Sequence, residues 1–183
     1  MVPIVETKIT IGGQAGTGKG TISKLLAELL GYELNSAGNY FHWIATRERV
    51  TDRELEERAL LYQRYDLEID ERTASYGRTS DNFVLDGRVA WYMIPDSVKV
   101  LLICEYDERI RRVSVRDKMS FKDALDATEH REESARMRYF NLYGIKDITE
   151  TQHYDIVIDT TKTLPEDSVA IIVGYLSYMS ERR

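Results

Sequence analysis

The sequence predicts an α/β domain built on a mainly parallel five-stranded sheet. Short apolar runs rich in β-branched residues alternate with longer segments in which apolar residues recur at helical spacing. A glycine-rich turn joins the first apolar run to the first helical segment. Strands that alternate with helices are typical of parallel sheets, because each helix carries the chain back to the same edge. With 183 residues, the chain is predicted to form a single domain over 1–183.

Four strands are predicted from the short apolar runs. The first is Ile9–Ile11, and the others are Asn82–Asp86, Val98–Cys104 and Tyr154–Asp159. The third of these is the most continuous apolar run, which fits a strand covered by helices on both faces. Tyr32–Asn35 is predicted to be a fifth strand or a short extended segment, and Met1–Thr7 a lead-in.

The helices are predicted from apolar residues at i, i+3 and i+4 spacing and from capping residues at their ends. Thr51, with Glu54 three places later, makes a capping box, and glycines follow two of the helices as stop signals. A turn from strand to helix is predicted over Ser36–His42. The predicted helices are Thr21–Leu30, Thr51–Ser75 (as one or two helices), Asp107–Asp117, Ser120 to about Tyr143, and Leu164–Met179.

The turn after the first strand fits a phosphate-binding loop. Gly13, Gly18 and Lys19 have the spacing G-x-x-x-x-G-K. Glycines let several backbone N–H groups point at one anion, and the following helix N-terminus adds partial positive charge. Gly20 stands where Ser or Thr usually follows the lysine, and Thr21 comes one place later. The alternative is a glycine-rich turn that binds nothing, but the order of strand, loop and helix favours the phosphate loop.

Composition excludes several classes of function. The net charge of −6 argues against a general nucleic-acid binder, although a local positive field can still hold small anions. One cysteine and three histidines make a structural zinc site improbable, and a lone cysteine fits a reducing compartment. No apolar run reaches membrane-spanning length. We therefore expect a cytoplasmic protein without a membrane or nucleic-acid partner, as a monomer or small homo-oligomer.

Two loops that follow strands are expected to share one crevice. Ligands of parallel sheets bind at the carboxyl ends of strands, where the phosphate loop and Asp86-Gly87-Arg88 both lie. Asp86 is positioned to hold Mg²⁺ or its waters, and the alternative is an aspartate in a turn with Gly87.

The predicted helix from Ser120 carries three arginines close together. Arg131 and Arg138 lie on one helical face, whereas Glu133 and Arg136 lie on another. We expect transfer-site charge from the first face and acceptor contacts from the second. The alternative is a solvated helix laced with salt bridges.

The ordered set of motifs resembles the nucleoside monophosphate kinases, and among them the archaeal-type cytidylate kinases. Asn39 and His42 depart from the acidic residue and the arginine of that pattern. The segments that carry the resemblance are Gly13–Thr21, Ser36–His42, Leu85–Arg88, Arg131–Tyr139, Tyr143–Ile145 and Tyr154–Thr160.

The resemblance implies a three-layer P-loop NTPase fold, with a helical acceptor-binding insertion over about 38–80 and a small arginine-rich lid over about 128–146. It also implies transfer of the ATP γ-phosphate, with Mg²⁺, to the small-molecule acceptor CMP or dCMP. Two alternatives stay open: the same chemistry on AMP or UMP, and a P-loop regulatory ATPase without a metabolite acceptor.

The resemblance also assigns site residues. The catalytic cations are Lys19, Arg88, Arg131 and Arg138. The donor nucleotide is assigned to Gly13, Gln14, Ala15, Gly16, Thr17, Gly18, Lys19, Gly20, Thr21 and Arg112. The acceptor is assigned to Ser36, Ala37, Gly38, His42, Asp86, Gly87, Arg88, Glu133 and Arg136, and Mg²⁺ to Thr21 and Asp86. Because an acceptor phosphate is largely ionised near neutral pH, no general base is expected.

Overall fold

The computed structural model describes residues 7–182, so most of the predicted lead-in lies outside the described part of the chain. Its five strands are all parallel, in the order β2-β3-β1-β4-β5. This confirms the predicted α/β class. The strands are β1 Lys8–Gly13, β2 Glu33–Ser36, β3 Phe83–Asp86, β4 Val98–Ile103 and β5 Ile156–Asp159.

Eight α-helices lie within the described residues, together with a 3₁₀ turn at Thr151–His153. The capping box at Thr51 and Glu54 is confirmed, as are the start of α7 at Ser120 and its stop at Gly144. The helices are α1 Lys19–Leu30, α2 Ala37–Glu48, α3 Asp52–Leu61, α4 Arg64–Thr79, α5 Ala90–Met93, α6 Tyr106–Asp117, α7 Phe121–Tyr143 and α8 Pro165–Ser180.

The helical predictions differ from the structure between β2 and β4. The charged segment predicted from Thr51 forms two helices, α3 and α4, and α4 continues to Thr79. The turn predicted at Ser36–His42 is already helical from Ala37, because Ser36 caps α2 by accepting a hydrogen bond from the Gly38 N–H. The short helix α5 has no counterpart among the predictions, since four residues show too little periodicity.

The sheet has a core on each face, because successive side chains of a strand point to opposite sides. On one face α1 and α8 cover the strands, and Ile9, Leu26 and Ile172 are fully buried there. On the other face Phe83 and Leu85 pack under α4 and α5. This layering leaves the carboxyl ends of the central strands β1 and β3 side by side.

Helices α2, α3 and α4, which lie between β2 and β3 in the sequence, share a separate small core. Ile44, Leu55 and Tyr65 are buried there away from the sheet. The three helices therefore stand as a wall beside the carboxyl ends of the strands. None of the helices in residues 7–182 is both long and apolar enough to cross a membrane.

Candidate active site

The phosphate loop follows β1 and is shaped by its own protein neighbours. Gly13 has a φ of 139°, and a side chain there would meet the Leu102 carbonyl oxygen at 2.4 Å. Gly16 has a φ of 79°, and a side chain there would collide with the Arg109 backbone, also at 2.4 Å. The Thr17 hydroxyl donates a hydrogen bond to the Gln14 carbonyl at 2.9 Å. The loop is therefore held in a curled shape that only glycine permits at these positions.

Lys19 is the first residue of α1 and the charge at the centre of the loop. Its Nζ donates a hydrogen bond to the Gln14 carbonyl oxygen at 2.7 Å. Burial and, to a smaller extent, the nearby Arg88 lower the pKa of Lys19 to about 7, against the opposing effect of Asp86. The protein itself therefore supplies too little negative charge around Lys19, and a bound polyanion would restore full protonation of the lysine.

A cleft of about 550 Å³ opens between the phosphate loop, the α2–α4 wall and α7. It brings together predicted site residues from five separated segments of the chain, and the loops after β1 and β3 share it, as expected for a crevice at the strand ends. The predicted site residues that line it are Ala15, Gly16, Gly18, Lys19, Gly20, Thr21, Ala37, Gly38, Asp86, Gly87, Arg88, Arg112, Arg131 and Arg138.

Three of the arginines that line this cleft differ in their electrostatic surroundings. The Arg131 Nε lies 3.0 Å from a carboxylate oxygen of Glu56, and the Arg138 Nη1 donates to Asp66 Oδ1 at 2.8 Å. Arg88 has no carboxylate within ion-pairing distance among residues 7–182. Burial lowers the pKa of Arg88, and Arg131 lowers it further although Tyr139 opposes this. Arg88 is thus a partly buried cation without an ion-pair partner in the described part of the chain, and the charge of Glu56 acts on it only from a distance.

Asp86 ends β3 at the edge of the same cleft. Its Oδ1 accepts a hydrogen bond from the Ser36 hydroxyl at 2.6 Å. Burial raises the pKa of Asp86, while Ser36 and Lys19 favour its charged form. Ser36 is not among the residues that line the cleft, so it acts here by orienting the carboxylate.

Oxygen donors at the loop fit Mg²⁺. Thr21 and Asp86 both line the cleft, one as a hydroxyl and one as a carboxylate. Within residues 7–182 no group of three or more His, Cys, Asp or Glu side chains is arranged to hold a metal ion. Mg²⁺ commonly takes one or two protein oxygens and completes its shell with water and nucleotide phosphates. The two residues fit that mode of binding.

Arg112 of α6 also lines the cleft. Its Nη2 donates to the Thr160 carbonyl at 2.7 Å and its Nε to Glu108 at 2.8 Å. Arg109 of the same helix is buried instead, with Nη1 bonded to the Ala15 carbonyl and to Glu132 Oε1. Of these two arginines, Arg112 therefore lies at the cleft, whereas Arg109 supports the phosphate loop from behind.

Several predicted site residues lie elsewhere. Gln14 bonds to Glu132 and lines a second cavity, while Gly13 and Thr17 form the inner side of the loop. Their placement in the loop follows the prediction, but they do not line the cleft.

The predicted acceptor contacts from Glu133, Arg136 and His42 are not brought to the cleft. Glu133 and Arg136 bond to each other at 2.6 and 2.8 Å and border the second cavity. The reason is helical geometry: their face of α7 is turned away from the face that carries Arg131. The side chain of His42 is 73% exposed, with its Nδ1 3.1 Å from Asp52.

Sequence reasoning missed the acidic wall of the cleft. Asp66, Asp70 and Thr73 of α4 line it together. Their i, i+4, i+7 spacing puts them on one helical face, next to the buried Ile69. That polar stripe was the available signal, hidden within a segment that is charged throughout. Arg116, Phe41 and Met93 also line the cleft without having been predicted.

Comparison with known proteins settles the family. Residues 8–162 match the model of the cytidylate kinase-like family. The chain belongs to this family. A cytidylate kinase from Methanobrevibacter smithii is 36% identical, over 92% of this chain and 97% of the relative. A cytidylate kinase from Pyrococcus abyssi is 33% identical, over 95% and 96%. The resemblance read from the motifs is thereby confirmed.

Solved structures confirm the fold of this cytidylate kinase-like chain. A shikimate kinase from Bacteroides thetaiotaomicron superposes with a TM-score of 0.64 at 17% identity, covering 94% of this chain and 99% of that one. An uncharacterised protein from Eubacterium ventriosum superposes with a TM-score of 0.69 at 21% identity, with the same coverage. The P-loop kinase fold is thus shared, and at such low identity the likeness concerns the fold alone.

Proposed function

We propose that this chain is an ATP-dependent kinase that phosphorylates CMP or dCMP to CDP or dCDP. The observation that carries the proposal is the convergence of four cations on one cleft: the phosphate-loop lysine and the arginines of the loop after β3 and of α7. The full-length similarity to cytidylate kinases supports the choice of acceptor. Transfer between two phosphates requires such a cluster, because both reactants are polyanions.

Three of these four cations have distinct parts in the proposed reaction. Lys19 exchanges the Gln14 carbonyl for the β- and γ-phosphate oxygens of ATP. Arg88, which carries an unpaired charge, holds the phosphate of the acceptor. Arg131 extends from α7 over the transferring group and stabilises the charge on its equatorial oxygens.

No base is required in this scheme, since the acceptor phosphate is already the nucleophile at neutral pH. Thr21 and Asp86 would hold Mg²⁺, which when bound neutralises charge on the donor phosphates. The Ser36 hydroxyl orients Asp86 for that task.

We also propose that the segments over about 38–80 and 128–146 act as the acceptor wall and as a lid. The first contributes Ala37, Gly38 and Asp66 to the cleft. The second is largely the C-terminal half of α7, a continuous helix, so closure would move that helix as a rigid element. Closure excludes water from the transferred group.

The test is a coupled assay of ADP release with ATP, Mg²⁺ and a panel of CMP, dCMP, UMP and AMP. We expect kcat/KM to be highest for CMP or dCMP. A clear preference for AMP or UMP would keep the chemistry and change the acceptor. ADP release at the same rate with no acceptor would favour a regulatory ATPase and refute the proposal.

A further inference from the structure

The walls of the cleft carry opposite charges. The wall formed by the phosphate loop, the loop after β3 and α7 presents Lys19, Arg88 and Arg131. The wall formed by α4 presents the carboxylates Asp66 and Asp70. Phosphates are repelled by carboxylates, so the α4 wall is unsuited to either phosphate group. It is left for the neutral part of a ligand.

Asp66 is a buried carboxylate with an unused oxygen. The residue is 4% exposed. Its Oδ1 accepts a hydrogen bond from Arg138, but within residues 7–182 its Oδ2 has no hydrogen-bond partner. A buried carboxylate oxygen without a donor is unfavourable, and a ligand that supplies the donor removes that cost. Burial raises the pKa of Asp66 although Arg138 opposes this, which shows how incompletely the protein compensates the charge.

Asp70 lies one helical turn further along the same wall, and it has no cation partner within ion-pairing distance in the described chain. Its Oδ2 accepts a hydrogen bond from the Tyr143 hydroxyl at 2.6 Å. Burial and, to a smaller extent, the charge of Asp66 raise the pKa of Asp70 to about 6, against the opposing effect of the hydrogen bond from Tyr143. The pair therefore offers more acceptor oxygens than the surrounding protein supplies with donors.

Apart from Arg138, the neighbours of this pair include apolar and neutral side chains. Ile69, Thr73 and Met93 line the same part of the cleft. Apolar walls around a few fixed acceptors are the usual surroundings of a bound base or sugar.

We propose that Asp66 and Asp70 bind the nucleoside part of the phosphate acceptor by accepting hydrogen bonds from its N–H or O–H groups. The inference rests on the proposed function and adds to it the residues that select the acceptor. Two groups of a cytidine nucleotide present the required donors: the exocyclic amino group of the base and the ribose hydroxyls. Carboxylates accept well from the cytosine amino group, whereas the carbonyl of uracil at that position would be repelled.

The variants Asp66→Asn and Asp70→Asn test this with little change of shape. In each, the amide oxygen can still accept from Arg138 or Tyr143, while an NH₂ group replaces the other oxygen. An acceptor becomes a donor, and the charge is removed. Values of kcat/KM for CMP, UMP and dCMP are measured at saturating ATP. Ratios between acceptors are compared, because a general loss through Arg138 affects all three equally.

If the contact is to the base, the ratio of CMP to UMP should fall by about tenfold or more, as expected for a charge-assisted hydrogen bond exchanged for a mismatch. If it is to the ribose, the ratio of CMP to dCMP should fall instead by a comparable factor. Tyr143→Phe is the matched control, since it removes the hydroxyl bonded to Asp70 but leaves the carboxylate. Its ratios should match those of the wild type.

Three results would overturn the inference. One is that both Asn variants fold, as judged by circular dichroism and thermal unfolding, and keep both ratios within twofold of the wild type. Another is a Tyr143→Phe enzyme whose ratios change as much as those of Asp70→Asn, since helix packing would then set the preference. The third is a wild-type enzyme that phosphorylates none of the three acceptors, which would refute the proposed function itself and with it the inference. Under the first two results the proposed function stands.

Discussion

Replacing Lys19 with methionine should stabilise the ligand-free protein while it abolishes most of the activity. The fall of the Lys19 pKa from 10.5 to about 7 means that the fold disfavours the protonated lysine. At about 1.4 kcal/mol for each pH unit, the upper limit of this cost is about 5 kcal/mol. The hydrogen bond to the Gln14 carbonyl, of about 2 kcal/mol for a charged donor, offsets part of it. Lys19→Met should therefore gain roughly 1–3 kcal/mol in free energy of unfolding near pH 6.

The gain should depend on pH in a defined direction. A lysine whose folded pKa is lowered releases its proton in the folded state first, so between about 7 and 10.5 the unfolded state binds more protons. The stability of the wild type therefore rises with pH through this window. The advantage of the variant should be full below pH 7 and should be lost by about pH 8 to 9, because the wild type gains about 1.4 kcal/mol with each pH unit above 7.

Urea unfolding at pH 6, 8 and 10 without nucleotide measures both effects. Lys24→Met is the matched control, because the Lys24 side chain on the same helix is 67% exposed. It should change the free energy of unfolding by less than about 0.5 kcal/mol at every pH. Turnover of Lys19→Met should fall by about a hundredfold or more, the usual effect of losing one preorganised transition-state contact. A Lys19→Met protein that is less stable at pH 6, or whose gain is the same at pH 10, would contradict the assigned burial of this charge.

Three further predictions follow from the same site. Gly20→Ala and Gly174→Ala should both raise the melting temperature, because both glycines are helical and an added methyl group meets no atom within 4 Å. Only Gly20→Ala should also raise the KM for ATP. Equal kinetics of the two variants would show that no phosphate occupies the space beside Gly20. His42→Arg should leave the acceptor KM and its dependence on pH the same as in the wild type, since the exposed histidine lies 3.1 Å from Asp52 outside the cleft. A lower acceptor KM that depends less on pH would instead place this side chain on the acceptor phosphate. Amide exchange over 128–144 should slow when a bisubstrate analogue binds, whereas unchanged exchange would argue against a lid there.

The local parts of the site could be predicted from the sequence because their signals are local. The phosphate loop needs only a strand, a glycine-rich turn and a helix in succession, and these occur within 8–30. The caps of α3 and α7 were equally readable, since each depends on residues three places apart. The carboxyl ends of parallel strands then bring Asp86 to the loop without any further information.

Long-range contacts explain what the sequence could not predict. Asp66 resembles any solvated charge until Arg138, 72 residues later, is packed against it. Likewise, the sequence places Arg136 among the arginines of one segment, but only the packing of α7 decides which face meets the cleft. His42 was assigned to the acceptor site through its position in a motif, and the exposure of its side chain depends on how α2 packs against α3.

The glycines of the phosphate loop have a consequence for the thermodynamics of nucleotide binding. Gly13 and Gly16 are confined by the backbones of Leu102 and Arg109, which belong to the protein itself. The curled shape is therefore fixed before any nucleotide arrives. Ordering a flexible loop opposes binding through lost conformational entropy, and that loss is largely absent when the loop is already formed. Ordering of this loop should therefore take little away from the affinity for the phosphates.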